Sequence, residues 1–215
     1  MGYPPLRYAG IIFDLDGVIV STDKYHYLAW KQIAGILGIP FSVEDNNRLR
    51  GVSRMESLEI ILSLGNRIIP DEEKQKLAEE KNNIYRTMLD ELSPASLPPD
   101  VTPTLATLRE MGIKTAIGSS SKNAKFILEK IGLTASFDAI SDGNNISRSK
   151  PDPEVFLKAA EMLDLRSSDI LVVEDALAGI DAAQRGGFDS AGMGDAFTAP
   201  NATYHIARIA DLLGL

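Results

Sequence analysis

The stretch AGIIFDLDGVIVST, residues 9–22, places two aspartates directly after an apolar run. The apolar run, residues 9–13, predicts a buried strand. In extended backbone Asp14 and Asp16 would point to the same face, with roughly 7 Å between them. Two carboxylates at that distance repel each other by roughly 2 kcal/mol at an effective dielectric constant of about 20. Either one of them holds a proton, or the chain bends so that they diverge, or a cation lies between them.

After residue 100 the chain alternates between predicted helices and strands. Strands are predicted at residues 114–118, near 138–141, at 170–173 and near 188–193. Helices are predicted at about 103–111, at 123–131, after the prolines at 151 and 153, at 176–186, and in the tail at 204–213. Such alternation predicts an α/β fold with a doubly wound, Rossmann-like parallel sheet.

Residues 22–92 differ from the rest because their pattern is helical throughout. Apolar residues recur at helical spacing over 23–37, and Gly38 follows as a stop signal. Ser53 and Glu56 form a capping box that predicts the start of another helix. The segment SPASLPPD, residues 93–100, has the composition of a linker. We therefore expect a core of residues 1–21 and 93–215, with a four-helix cap inserted at 22–92.

Composition excludes several classes of protein. The 215 residues are 44% hydrophobic and 24% charged, with a formal net charge of −8 and no cysteine. Disulfides, thiol nucleophiles and cysteine-bound zinc are excluded. The chain has no apolar stretch of 18 residues and no basic stripe, so we expect neither membrane nor nucleic-acid binding. We expect a cytoplasmic monomer whose partner is a small molecule.

Polar residues follow four of the predicted strands. Ligands of open parallel sheets bind at the carboxyl ends of the strands, so these residues should meet at one edge. Each feature alone has an ordinary explanation as a turn or a helix cap, but their joint occurrence at four strand ends favours a functional site. The residues concerned are Asp14 and Asp16, Ser119 to Asn123, Lys150, and Glu174 with Asp175.

The chemistry of this set suggests a magnesium site beside a phosphate site. The carboxylates of Asp14, Asp16, Glu174 and Asp175 would form an all-oxygen site that suits Mg²⁺. Lys150 and the Ser119 hydroxyl would bind the phosphate oxygens that the metal leaves free. Because the chain is acidic overall, an anionic substrate must be bound by a few local positive groups or by a metal.

These motifs resemble those of the haloacid dehalogenase superfamily. The matching residues are Asp14-Leu-Asp16-Gly17-Val, Ser119, Lys150-Pro151 and Glu174-Asp175-Ala-x-x-Gly179. Within the superfamily the chain resembles the β-phosphoglucomutase family in Thr22-x3-His26-x3-Trp30, Gly51-Val-Ser-Arg54, Lys81-Asn82 and Ser119-Ser-Ser-Lys122-Asn123. That family uses Mg²⁺ and a helical cap to interconvert β-glucose 1-phosphate and glucose 6-phosphate through an aspartyl phosphate and β-glucose 1,6-bisphosphate.

The resemblance implies a role for each matching residue. Asp14 would be the nucleophile, Asp16 the general acid–base, and Thr22 a hinge residue. Phosphate binding would fall to Ser119, Ser121, Lys122, Asn123 and Lys150. Substrate binding by the cap would fall to His26, Trp30, Gly51, Val52, Ser53, Arg54 and Lys81, of which Trp30 also suits cap packing. Without the resemblance, Arg54 and Lys81 would be interpreted as solvated helix residues.

Two other functions stay open from the sequence. A phosphatase acting on a small sugar phosphate would share the same core and differ in whether water reaches the phosphoaspartate. A non-catalytic phosphate-binding protein would not need Asp14 and Asp16, and both are present. The chain has no G-x-S-x-G elbow, no GxxxxGK[ST] loop and no GxGxxG loop, which argues against a serine hydrolase, a P-loop kinase and a dinucleotide enzyme.

Overall fold

A sheet of six parallel strands forms the centre of the protein in a computed structural model, which describes residues 6–215. The strands are β1 (Gly10–Phe13), β2 (Lys114–Gly118), β3 (Ala139–Ser141), β4 (Ile170–Glu174), β5 (Asp189–Gly192) and β6 (Tyr204–His205). Their order in the sheet is β3-β2-β1-β4-β5-β6, and all neighbours are parallel. Strand β1 therefore lies between β2 and β4, with Phe13 beside Ile117 and Val173.

Helices cover both faces of this sheet. They are α1 (Asp23–Leu37), α2 (Val43–Asn47), α3 (Arg54–Leu64), α4 (Asp71–Leu89), α5 (Val101–Glu110), α6 (Ala124–Lys130), α7 (Glu154–Leu163) and α8 (Leu177–Arg185). Successive residues of β1 point to opposite faces. Ile11 and Phe13 pack with α5 and α6, whereas Ile12 packs with α7 and α8. The predicted doubly wound α/β core is confirmed.

Helices α1 to α4 lie between β1 and α5 in the chain and have a hydrophobic cluster of their own. It is built around Trp30, Ile33, Leu58 and Ile61, all fully buried. The predicted capping box starts α3, with Ser53 N donating to the Glu56 carboxylate at 2.8 Å. Below, residues 22–92 are called the helical insert. Its division from the core stays a prediction, and the separate cluster supports it.

Helix α4 is the longest helix, at 19 residues, and it ends at Leu89. It begins with three acidic residues and carries Arg86 in its last turn, a charge distribution that favours the helix dipole. Within residues 6–215, no helix combines the length and the apolar character needed to cross a bilayer.

The tail differs from the predicted helix at 204–213. Tyr204 and His205 form the edge strand β6, and residues 209–214 form a 3-10 helix. The open edge of β5 explains this, because Ile206 N donates to Gly192 O at 3.0 Å. The Asp211 carboxylate accepts the backbone N–H groups of residues 207 and 208, which begins a new turn there. Tertiary hydrogen bonds therefore outweigh the local helical pattern.

Candidate active site

The strand order brings the predicted strand-end residues together. Because β1 lies between β2 and β4, Asp14 lies between Ser119 on one side and Glu174 on the other. Asp14 N donates to Val173 O at 2.9 Å, which extends the β1–β4 ladder to the aspartate itself. The position of Asp14 is therefore fixed by the sheet.

Three carboxylates form an acidic cluster at this edge. Asp14, Glu174 and Asp175 each place one carboxylate oxygen within 4.8 Å of the others. Burial, together with the neighbouring carboxylate charges, raises the pKa of Asp175 to about 9. Burial is also the main cause that raises the pKa of Glu174 to about 7. Without a bound cation, the cluster therefore resists carrying its full negative charge.

Lys150 lies inside this cluster, almost completely buried. Its ammonium donates to Asp14 and, at 2.5 Å, to Glu174. Burial disfavours the charged amine, but the charges of the two carboxylates outweigh it and raise the pKa of Lys150. The Lys150 charge is thus shared between two protein carboxylates. Its predicted role in phosphate binding stays a prediction.

The donor set of the acidic cluster fits a divalent cation. Three carboxylates against one ammonium leave two negative charges, which one Mg²⁺ would balance, and oxygen ligands are those that Mg²⁺ prefers. Two glycines leave room for the carboxylates. A Cβ atom at Gly17 would collide with the Asp175 carboxylate, and one at Gly179 would collide with that of Glu174. Asp14, Glu174 and Asp175 are therefore the residues that could hold the metal.

The Asp16 carboxylate turns away from the acidic cluster. Thr22 binds both of its oxygens, through the backbone N–H at 2.6 Å and the hydroxyl at 2.8 Å. The Thr22 hydroxyl also shares a hydrogen bond of 2.7 Å with the Tyr85 hydroxyl. Burial raises the pKa of Asp16 to about 6, although the Thr22 hydrogen bonds oppose this.

This arrangement answers how the chain accommodates two neighbouring aspartates. Their side chains diverge, a lysine ammonium lies against Asp14, and the pKa of Asp16, raised to about 6, lets a fraction of this carboxyl hold a proton just below neutral pH. The side chain of Asp16 does not join the three clustered carboxylates. The prediction that its carboxylate is a metal ligand is therefore not supported by the geometry.

The helical insert contributes two basic residues, Lys81 and Arg54, which are called the cationic cluster below. Lys81 is 3% exposed, and its ammonium lies 2.8 Å from His26 Nδ1. The same ammonium lies over the rings of Tyr85 and Trp30, at 4.3 and 5.1 Å from their centroids. Burial and the charge of Arg54 hold the pKa of Lys81 well below its usual range.

His26 connects the cationic cluster to Asp16. Its Nε2 lies 3.7 Å from the Asp16 carboxylate, and its ring packs against that of Tyr85 at a tilt of 35°, with 4.1 Å between centroids. Burial, with the charges of Lys81 and Arg54, holds the pKa of His26 well below its usual range. His26 is thus neutral. Trp30 is buried in the insert and packs against the cationic cluster.

Arg54 lies half-buried at the start of α3. Its guanidinium donates to Asn82 Oδ1 at 2.7 Å, and the same oxygen accepts from Asn123 of the core at 2.9 Å. Burial lowers the pKa of Arg54. Within residues 6–215, neither Arg54 nor Lys81 forms an ion pair with a carboxylate. Unlike Lys150, both side chains could therefore bind an anion in the site.

The loop after β2 places the remaining predicted phosphate ligands. The Ser119 hydroxyl accepts from Ser121 N at 3.2 Å, and the Ser121 hydroxyl accepts from Asn123 N at 3.1 Å. Ser119 and Asn123 are buried, whereas Lys122 is exposed at the rim. These hydrogen bonds fix the loop beside Asp14.

One cavity of about 650 Å³ joins these groups. Its lining includes every predicted site residue except Thr22, which is buried behind Asp16. Gly51, Val52 and Ser53 line it from the insert. Tyr85 also lines it and was not predicted, although its position four residues after Lys81 on the same helix could have indicated it. His205 is exposed beside Phe197, away from this cavity lining.

A family model for haloacid dehalogenase-like hydrolases matches residues 8–187. The chain belongs to this haloacid dehalogenase-like family. The β-phosphoglucomutase of Bacillus subtilis (strain 168) is 41% identical over 204 residues, covering 94% of this chain and 90% of the relative. The fructose-1-phosphate phosphatase of Escherichia coli (strain K12) is 34% identical, covering 86% of this chain and 95% of that protein.

A solved structure agrees with these similarities. The crystal structure of a β-phosphoglucomutase from Clostridium difficile has a TM-score of 0.91 and 38% identity, covering 95% of this chain and 93% of the other. The resemblance to the haloacid dehalogenase superfamily and its β-phosphoglucomutase group is confirmed, and with it the prediction of an enzyme. The roles of individual residues within this haloacid dehalogenase-like site stay predictions.

Proposed function

We propose that the protein is a Mg²⁺-dependent phosphotransferase that interconverts β-D-glucose 1-phosphate and glucose 6-phosphate through β-glucose 1,6-bisphosphate. One observation carries this proposal: the same cavity is lined by the acidic cluster of the core and by two basic residues of the insert, Arg54 and Lys81, which have no carboxylate partner within residues 6–215. Such a cavity suits a substrate with phosphate at both ends. The 41% identity to a β-phosphoglucomutase supports the same reaction.

Asp14 is the nucleophile in this proposal. One of its carboxylate oxygens attacks phosphorus, and the bond from phosphorus to the sugar oxygen breaks, which leaves an aspartyl phosphate. Lys150, held between Asp14 and Glu174, orients the carboxylate and stabilises its charge. A bound Mg²⁺, held by Asp14, Glu174 and Asp175, would neutralise charge on the transferring phosphoryl group.

Asp16 moves the proton. The sugar oxygen that leaves phosphorus takes a proton from Asp16, and in the next transfer Asp16 takes one from the attacking sugar hydroxyl. A pKa of about 6 suits both directions near neutral pH. The two hydrogen bonds from Thr22 hold the carboxylate in place, and His26 lies beside it.

The helical insert acts as a cap over the sugar phosphate. Arg54 and Lys81 bind the distal phosphate and the sugar, with Ser121, Lys122 and Asn123 contributing from the core. Burial strengthens these charged contacts because little water competes with them. A closed cap also keeps water from the aspartyl phosphate until a sugar phosphate returns. We propose residues 22–92 as the cap and 1–21 with 93–215 as the core.

A phosphatase acting on a small sugar phosphate is the second candidate. The 34% identity to a fructose-1-phosphate phosphatase favours it specifically. Both reactions would use the same Asp14, Asp16 and acidic cluster, and they differ in whether water or a sugar hydroxyl accepts the phosphoryl group. In either case we propose a cytoplasmic monomer acting on a sugar phosphate.

Product analysis distinguishes the two candidates. The enzyme receives β-glucose 1-phosphate, Mg²⁺ and a trace of glucose 1,6-bisphosphate, and both glucose 6-phosphate and inorganic phosphate are measured. We expect glucose 6-phosphate as the main product and little product from α-glucose 1-phosphate, the matched control substrate. Release of mainly inorganic phosphate would establish the phosphatase instead.

A further inference from the structure

Arg50 is bound by carboxylates from two parts of the chain. Within the helical insert, its Nε and Nη2 donate to the two oxygens of Asp23 at 3.3 and 3.1 Å. Its Nη1 donates to Asp195, which follows β5 in the core. No motif in the sequence indicated this arrangement. Arg50 thus forms a direct charged contact between the insert and the core.

The Asp23 carboxylate and the backbone on either side of Asp195 are each held in place. Asp23 also accepts a hydrogen bond of 2.9 Å from the side chain of Asn46, which is 1% exposed. On the core side, Met193 N donates to Glu174 O at 2.8 Å and Ala196 N donates to Asp175 O at 2.9 Å. The segment that carries Asp195 is therefore tied to the backbone of the acidic cluster.

Arg50 immediately precedes the loop of residues 51–54, which lines the cavity. Gly51 has a φ of 75°, and a Cβ atom there would lie 3.5 Å from the side chains of Ala176 and Ala178. The loop thus packs against the segment after Glu174 and Asp175, and Arg54 at its end faces the cavity. An anchor at Arg50 fixes the start of this loop relative to the metal-binding carboxylates.

We propose that Arg50 is a positioning residue whose contact with Asp195 holds the loop 51–54 on the core, so that Arg54 meets the distal phosphate. The inference rests on the proposed function for its substrate, but the contact itself does not depend on it. Asp195 is 57% exposed, and such pairs add little to global stability. The effect of Arg50 should therefore appear in loop order and substrate binding rather than in unfolding.

The variant that tests this is Asp195→Asn, because Asp195 lies outside the cavity lining. We expect KM for β-glucose 1-phosphate to rise by about 2- to 5-fold, with kcat changed less than KM. Asp195→Glu keeps the charge and should restore KM towards the wild-type value. Asp164→Asn removes the same charge from an exposed site outside the cavity lining and should leave KM unchanged. An unchanged KM in Asp195→Asn would overturn the proposal.

A measurement without turnover separates this inference from the proposed reaction. Amide hydrogen exchange over residues 51–54 should be faster in Asp195→Asn than in the wild type or Asp164→Asn, while the unfolding temperatures stay alike. Equal exchange in all three proteins would overturn the inference. If the wild type releases mainly inorganic phosphate but Asp195→Asn loosens the loop, the mutase proposal fails and the positioning role of Arg50 stands.

Discussion

The acidic cluster of the core and the cationic cluster of the insert bury charge in opposite ways. In the core, burial raises the pKa values of Glu174 and Asp175, and Lys150 offsets only part of the negative charge. In the insert, burial lowers the pKa values of Lys81 and Arg54, and neither has a carboxylate partner within residues 6–215. The acidic cluster thus lacks enough positive charge to balance it, and the cationic cluster lacks negative charge.

Burying charged groups without partners costs free energy, and ionisable groups perturbed in this way cluster at functional sites. On the proposed function, a cation would complete the core cluster and an anion would complete the insert cluster. A magnesium ion with a phosphorylated sugar would supply both. On this view the two clusters destabilise the free protein in order to bind the substrate and its transition state.

The largest expected effect is that of removing the nucleophile. Asp14→Asn should lower phosphoryl transfer by at least about 10⁴-fold, because an amide cannot form the aspartyl phosphate. Steady-state kinetics and mass spectrometry for the phosphoenzyme measure this. Asp71→Asn is the matched control, since Asp71 is 91% exposed at the start of α4. A correctly folded Asp14→Asn protein with substantial activity would remove Asp14 from the mechanism.

Removing the metal should be nearly as severe. In chelator-treated protein we expect activity to fall by at least about 10³-fold and to return with Mg²⁺. Mg²⁺ at a hundred times its dissociation constant should also stabilise the fold by about 2.7 kcal/mol. Asp175→Asn should lose most of this Mg²⁺-dependent rise in unfolding temperature, and Asp71→Asn should keep it. Full activity after exhaustive chelation would contradict the metal site.

Anion binding by the cationic cluster is tested at Arg54. Arg54→Ala should lower mutase kcat/KM by about 10²-fold, the scale of a lost charge-assisted hydrogen bond in a buried site. Release of inorganic phosphate should fall less, so that the ratio of hydrolysis to transfer rises. Arg48→Ala, an exposed arginine just before the same loop, is the control. Equal losses of both products would mean that Arg54 does not bind the distal phosphate.

The sequence predicted the core better than the contacts within the site. Strands β1, β2 and β4 were predicted because their apolar runs are short and bounded by polar residues. Those polar residues also indicated the site. Sequence periodicity does not give the order of strands in a sheet, so it could not show that β1 lies between β2 and β4. Strand β6 was missed because two residues form it, and the edge of β5 rather than local propensity stabilises it.

Long-range side-chain contacts explain the other differences. Phosphate binding by Lys150 stays a prediction, but the sequence did not indicate that its ammonium contacts two carboxylates from different strands. Asp16 was grouped with the metal ligands, but Thr22 draws its carboxylate away. Lys81 lies in a run of charged residues typical of a solvated helix face, yet it is buried against His26, a residue 55 positions earlier. Such pairings depend on how the insert folds onto the core.

The smallest expected effect is one of stability, and it concerns Lys81 alone. The folded-state pKa of Lys81 is held well below the 10.5 of an ordinary lysine, so the folded state binds fewer protons than the unfolded chain. The wild-type protein should therefore gain stability as pH rises from the folded pKa towards that of the unfolded chain. Lys81→Met lacks this dependence and should be more stable than the wild type at about pH 7, by about 1–2 kcal/mol. Its advantage should shrink towards about pH 10.

Urea unfolding of both proteins across this pH range gives the difference between their free energies of unfolding. The contributions of other titrating groups cancel in that difference. Lys76→Met is the control, because Lys76 is on the same helix and 73% exposed, and it should show no such pH-dependent gain. Glucose 6-phosphate should stabilise the wild type more than Lys81→Met, since the anion completes the cationic cluster. If Lys81→Met is less stable at neutral pH, the contacts of Lys81 with Tyr85 and Trp30 outweigh its burial. The cationic cluster would then not destabilise the free protein before the anion binds, and its comparison with the acidic cluster would no longer hold.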